Sequence, residues 1–272
     1  MEESPVALAG GKDSESRLDR HTALCWPRLI PKAYLYPMKR LLLLVLLGGN
    51  LLPALLPAQQ TAGRMTFAGR GEMQYLLYLP PDYEAHPDSA FPLLLFLHGG
   101  GESGDEIDKV ATHGPPMQAA RGDRLPFIVL SPQNPHVRGF WEERVVKALL
   151  DSIVQQYRVD TQRLYLTGLS RGGYGAWRVA MSFPETFAAL VPICGATAES
   201  YAGWVPDIPI WVFHGDRDPV VPMSESNALV GRLLGMGRKV RYTLYPGVGH
   251  NSWERAYAEP ELYPWLLEQR KP

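Results

Sequence analysis

The chain has 272 residues, of which 46% are apolar and 20% charged, and its 27 Lys and Arg against 28 Asp and Glu leave a formal net charge of -1. That length can bury one large core. A chain this close to neutrality, with no Lys/Arg-rich run after its first hydrophobic segment, offers no electrostatic case for a nucleic-acid partner.

Residues 1–37 are polar, lack apolar periodicity and contain Pro5, Pro27, Pro31 and Pro37. They read as an upstream extension or disordered segment, with Met38 as the start. Met38-Lys39-Arg40, the apolar stretch 41–47, the Gly48-Gly49-Asn50 break and a small-residue exit at Ala58 make 38–58 a signal peptide, cut before Gln59-Gln60. A membrane anchor is the alternative for the same segment. Asn50, Pro53 and Pro57 interrupt it, and its unbroken apolar run falls short of the roughly 18–20 residues a spanning helix needs. A secreted or periplasmic product without a stable membrane span is therefore expected. Cys25 falls in the removed part, so the mature chain keeps Cys194 and cannot close an internal disulfide. No Cys/His metal spacing exists, and neither metal nor cofactor is expected.

From Met65 onward strands and helices alternate. Residues 74–79 and 92–97 read as strands, the second almost continuously apolar, as a central strand buried on both faces would be. A short apolar run at 127–130 follows. Residues 142–157 read as a helix: Val145, Leu149, Ile153 and Tyr157 recur every four residues beside Val146, Leu150 and Val154. Then come a strand at 163–167, a helix at 174–183 ending before Pro184, strands at 187–192 and 208–213, a helix at 224–236, a strand at 240–245 and a closing helix at 260–267. The alternation implies a mainly parallel sheet covered by helices on both faces, in one domain over 62–272 with no internal repeat.

Gly168-Leu169-Ser170-Arg171-Gly172 lies between the strand at 163–167 and the helix that follows. G-x-S-x-G in a strand–turn–helix setting is a nucleophile elbow, and its glycines leave room for a turn too tight for side chains. Ser170 is the candidate nucleophile, against the plainer reading of a turn serine capping a helix. His250, in Gly247-Val248-Gly249-His250-Asn251-Ser252-Trp253, is the candidate base, since imidazole accepts and returns a proton near neutral pH. The acid lies in Phe213-His214-Gly215-Asp216-Arg217-Asp218-Pro219. Either Asp216 or Asp218 can orient the base; Asp218 is favoured because Pro219 fixes the turn behind it, and Asp216 would then hold the loop. His214 reads as a strand-end residue.

Leu97-His98-Gly99-Gly100-Gly101-Glu102 follows a buried strand, and bare glycines expose N–H groups that can face a developing oxyanion. Gly100 and Arg171 supply the expected oxyanion-hole amides. The loop lacks the lysine and the glycine spacing of a phosphate cradle. Trp141 and Trp253 are candidate substrate-binding residues. His113-Gly114-Pro115-Pro116 and Phe140 can border the pocket, and Glu102 can either hold the loop or face water.

The order Ser170, Asp218, His250, with Tyr75-Leu76-Leu77-Tyr78-Leu79-Pro80, Leu97-His98-Gly99, His113-Gly114-Pro115-Pro116, Pro192-Ile193-Cys194-Gly195 and Tyr245-Pro246-Gly247, resembles the α/β-hydrolase superfamily over about 72–268. Within it the chain looks like the phospholipase/carboxylesterase branch and its bacterial "predicted peptidase" group. The resemblance implies an α/β-hydrolase fold without a large lid, and a serine esterase acting on small or soluble carboxylic esters. Its related proteins include carboxylesterases, feruloyl and acetylxylan esterases and dienelactone-hydrolase-like enzymes. Ser170 departs from dienelactone hydrolases proper, which look for cysteine there, and Arg171 stands where related sequences often carry methionine, which could favour acidic or polar acyl groups. The competing readings are a serine peptidase on the same site and a non-catalytic binding module on this scaffold.

Overall fold

A computed structural model of the protein describes residues 59–271; the expected signal peptide at 38–58 and the segment 1–37 lie outside the described residues. The apolar run read as a central strand is β3 (Phe91–Leu97), and each residue from Leu93 to Leu97 is buried. Successive strand side chains point to opposite faces, so Leu93, Leu95 and Leu97 enter one core and Leu94 and Phe96 the other. Burying a side chain of this size contributes roughly 1.5–3 kcal/mol.

Two strands precede it, β1 (Gln59–Phe67) and β2 (Gly71–Leu79), and five follow: β4 (Ile128–Pro132), β5 (Val159–Leu169), β6 (Ala189–Ile193), β7 (Ile210–Gly215) and β8 (Val240–Tyr245). They form an eight-stranded sheet in the order β1-β2-β4-β3-β5-β6-β7-β8. The β1–β2 and β2–β4 pairs are antiparallel, and every other neighbouring pair is parallel.

Helices close both faces. The stripe Val145, Val146, Leu149, Leu150, Ile153 of α2 (Glu143–Gln156) enters the first core. It is joined there by α3 (Arg171–Ser182) and by Leu229, Val230 and Leu233 of α4 (Met223–Gly235). Shorter helices cover the other face: Ala119 of α1 (Gly114–Ala120), Ala256 of α5 (Trp253–Ala256) and Leu262 and Leu266 of α6 (Leu262–Glu268). No helix among the described residues is long and apolar enough to cross a membrane.

Two elements escape the periodicity reading. β1 carries the mixed sequence Gln-Gln-Thr-Ala-Gly-Arg-Met-Thr-Phe and is a strand because β2 pairs with it along its whole length, Gln59 opposite Leu79 to Phe67 opposite Gly71. α1 begins Gly-Pro-Pro, which reads as loop, yet proline is well suited to a helix's first turn, where no N–H is needed.

Because β3 and β5 to β8 run parallel, their C-terminal ends share one edge of the sheet. The loops leaving β3, β5, β7 and β8 carry Gly99–Glu102, Ser170, Asp218 and His250 in turn. Open α/β sheets bind ligands at this edge.

Candidate active site

β5 ends at Leu169 and α3 begins at Arg171, leaving Ser170 as the whole turn. Its backbone stands at φ 53° and ψ -118°, a conformation L residues adopt rarely and at a cost of about 1–3 kcal/mol. Neighbours hold it there: the Ser170 N–H donates to the Ile193 carbonyl (2.9 Å), and the Tyr174 N–H donates to the Ser170 carbonyl (3.1 Å). The flanking glycines are a steric necessity. A Cβ on Gly168 would lie 2.2 Å from the Gly172 carbonyl oxygen, and one on Gly172 would lie 1.9 Å from that of Leu97.

Ser170 Oγ lies 2.8 Å from His250 Nε2, and His250 Nδ1 lies 2.7 Å from Asp218 Oδ2. The other carboxylate oxygen of Asp218 accepts the N–H groups of Val220 (2.8 Å) and Val221 (2.9 Å). Burial pushes the Asp218 carboxyl up, but the bond from His250 and the N–H groups of Val221 and Val220 outweigh it and hold it below the ordinary carboxylate value. Asp216 does other work: its Oδ1 accepts the Gly247 N–H at 2.7 Å and ties the β7 loop to the loop carrying His250. His214 is fully buried at the end of β7, with Nδ1 at 2.8 Å from Ser226 Oγ and Nε2 at 2.9 Å from the Val221 carbonyl.

The glycine loop after β3 lies over the elbow. A Cβ on Gly99 would sit 3.6 Å from Ser170 Cβ, and one on Gly100 would sit 2.9 Å from Arg171 Nη2. Arg171 supplies the first N–H of α3, a group no helix can pair internally. Its side chain turns away to bridge two loops, donating from Nη1 to the Val137 carbonyl (2.7 Å) and to Ser103 Oγ (3.2 Å). Beneath the loop, burial lowers His98 to about 4, so its imidazole is neutral: one nitrogen bonds the Gly99 carbonyl (2.7 Å) and the other accepts the Asn134 N–H (3.0 Å).

Trp141 requires a correction. It is 1% exposed, donates its indole N–H to the His98 carbonyl (3.3 Å) and packs edge-on against the His98 ring, so it supports the loop and offers no face to a ligand. Its neighbour Phe140 is exposed and lines a cavity of about 560 Å³ with Tyr174, Ala196, Thr197 and Glu225. Trp253 packs edge-on against the His250 ring, centroids 5.3 Å apart, and lines a second cavity of about 370 Å³ with His113, Gly114 and Met117. Glu102 proves to be buried, at 7% exposure, which its position after three glycines did not signal.

Among the described residues, one His/Cys/Asp/Glu grouping has ligand atoms within 4.8 Å of one another: Cys194, Asp218 and His250. Burial pushes the Cys194 thiol up to about 12, and Asp218 and His250 are already bonded to each other.

Against solved structures, the chain matches a thermostable esterase with 36% identity and a TM-score of 0.69, over 78% of this chain and 63% of that one. The chain has the α/β-hydrolase fold. A model of the dienelactone hydrolase family matches residues 135–260 of the chain, a span that includes Ser170, Asp218 and His250. NocK of Nocardia uniformis subsp. tsuyamanensis, a protein named as an esterase, is 31% identical over 178 residues, which is 61% of this chain and 51% of NocK. The poly(3-hydroxyoctanoate) depolymerase of Pseudomonas fluorescens is 38% identical over 104 residues, 35% of this chain and 37% of that protein. The chain thus spans about half the length of NocK and less of the depolymerase.

Proposed function

We propose that the protein is a serine carboxylic ester hydrolase acting on small or soluble esters. The observation that carries this reading is the hydrogen-bonded series from Ser170 Oγ through His250 to Asp218, mounted on a strained elbow. The esterase names borne by NocK and by the thermostable structural relative support it. Ser170 Oγ attacks the ester carbonyl carbon while its proton passes to His250 Nε2, and Asp218 stabilises the imidazolium. The carbonyl oxygen becomes negative and takes hydrogen bonds from the Gly100 and Arg171 N–H groups, each such donor being worth about 3–4 kcal/mol in the transition state. Collapse breaks the bond to the alcohol oxygen, which leaves with the proton from His250. A water deprotonated by His250 then attacks the acyl carbon, releasing the acid and restoring Ser170.

His250 must reach the leaving oxygen, so the alcohol half lies on the Trp253 side and the acyl half toward the cavity of Phe140 and Tyr174. The test is turnover of p-nitrophenyl acetate and butyrate, with a fluorophosphonate probe as the label. Wild-type protein is expected to hydrolyse both and to be labelled, and Ser170→Ala to fold normally and do neither. Turnover retained by Ser170→Ala removes the assignment. Release of amine from short peptide amides faster than alcohol from matched esters favours the peptidase reading.

Export from the cell is the second half of the reading and rests on residues 38–58. N-terminal sequencing of the secreted product is expected to begin at Gln59.

A further inference from the structure

Asp218 has a buried neighbour to which the proposed reaction gives no part. The side chains of Asp218 and of His214, at the end of β7, are both fully buried. His214 Nε2 lies 2.9 Å from the Val221 carbonyl oxygen and 3.3 Å from Asp218 Oδ2, the same oxygen that holds His250. A carbonyl and a carboxylate only accept hydrogen bonds, so Nε2 carries a hydrogen. That hydrogen goes to Val221, and the positive edge of the ring stands beside Oδ2. The other nitrogen, Nδ1, lies 2.8 Å from the buried Ser226 Oγ on α4, which fixes the plane of the ring.

His214 thereby reaches both oxygens of the carboxylate. It borders Oδ2 directly. It reaches Oδ1 through Val221, which is held at its carbonyl by His214 and gives its own N–H to Oδ1 at 2.9 Å. Burying a polar ring here costs desolvation that an apolar side chain of the same size would avoid. Packing alone gives no reason for a histidine at this strand end, whereas a carboxylate that must keep one position and one charge distribution does.

We propose that His214 is a positioning residue for the acid: it aligns Asp218 with His250, and its ring N–H draws part of the charge on Oδ2 away from the imidazolium formed in the reaction. The proposal rests on the serine esterase reading, in which His250 is the base. Cys194 from the turn after β6 and Tyr174 from α3 also lie near this carboxylate, and the Tyr174 hydroxyl donates to Glu225 of α4 at 2.6 Å. Burial pushes the Cys194 thiol up to about 12 and raises the Tyr174 hydroxyl as well, so neither changes charge between about pH 5 and 9.

The test is the pH profile of kcat/KM for p-nitrophenyl acetate, whose acid limb reports protonation of the base in the free enzyme. His214→Phe keeps a buried ring and removes the N–H. It is expected to move the acid limb to higher pH by about half a pH unit or more, because a carboxylate without that neighbouring donor holds the imidazolium more tightly. A severalfold fall in kcat on the plateau, with KM little changed, should accompany the shift. His214→Gln returns an N–H close to the place of Nε2 and is expected to bring the limb back toward its wild-type position. If His214→Phe fails to fold, Ser226→Ala, which frees the plane of the ring, carries the comparison and should move the limb the same way by a smaller amount. A histidine that serves packing alone would scale the whole profile down without moving it. A limb that stays in place or moves to lower pH overturns the proposal, as does a shift in His214→Gln as large as in His214→Phe, while wild-type turnover leaves the esterase reading standing. No turnover by folded wild-type protein overturns the esterase reading, and the positioning role falls with it.

Discussion

Asp218 holds His250 with one carboxylate oxygen at 2.7 Å while the other takes the N–H groups of Val220 and Val221. The carboxylate is thus clamped from behind by its own turn, and the imidazole can rotate only by breaking the bond in front. Asp218→Asn is expected to lower kcat for p-nitrophenyl acetate by about 10³–10⁴-fold, because an amide favours the wrong imidazole tautomer. The carboxyl titrates below its ordinary value in the folded state. Its contribution to stability is therefore fully present above the unfolded value of about 3.9 and is lost as pH falls through the depressed one. Urea titrations of wild type and Asp218→Asn should differ at pH 7 and converge in that acid range.

His98 carries the opposite charge logic. Burial lowers it to about 4 from an ordinary 6.5, so the unfolded chain binds a proton there that the native protein refuses. Stability should then fall as pH drops from about 6.5 to 4, by up to about 3 kcal/mol from this group. His98→Asn should be less stable at pH 8 and show a shallower decline across the same window in denaturant titrations.

Two glycines of the chain should respond to alanine with opposite signs. Gly172→Ala drives a methyl group to 1.9 Å from the Leu97 carbonyl oxygen, where two strand ends and a helix meet. A loss of roughly 3 kcal/mol or more, or failure to fold, is expected. Gly231 is an exposed interior residue of α4 with nothing within 4 Å of an added Cβ. Gly231→Ala should raise the denaturation midpoint, by about 0.5–1 kcal/mol in stability.

Cys194 is buried behind the site with φ 40°, and its thiol is pushed up to about 12. Iodoacetamide at pH 8 should leave the native protein unlabelled at this residue and label it after unfolding, as mass spectrometry can read.

The Ser170, Asp218 and His250 constellation was legible because its demands are local: an elbow needs glycines at fixed offsets, and the partners must follow strands. Choosing Asp218 over Asp216 needed the Pro219 turn, which lets two N–H groups reach the carboxylate, while Asp216 makes the loop-tying bond instead. Trp141 was not legible as core, since an aromatic residue in a loop carries no sign of which way it faces. Glu102 stood open between holding the loop and facing water, because a charged residue behind three glycines carries no sign of either, and the packing of His98 and His113 around it decides for burial. β1 is held by a ladder to its neighbour rather than by burial, and a ladder leaves no periodic trace.

Among the described residues β8 is the outermost strand on its side, bonded only to β7, and none of its residues is fully buried. The imidazole hangs from the loop that leaves it. Fraying at this border would withdraw the base while the interior strands stayed assembled, so the molecule should fall silent toward esters in milder denaturant than the one that melts its core.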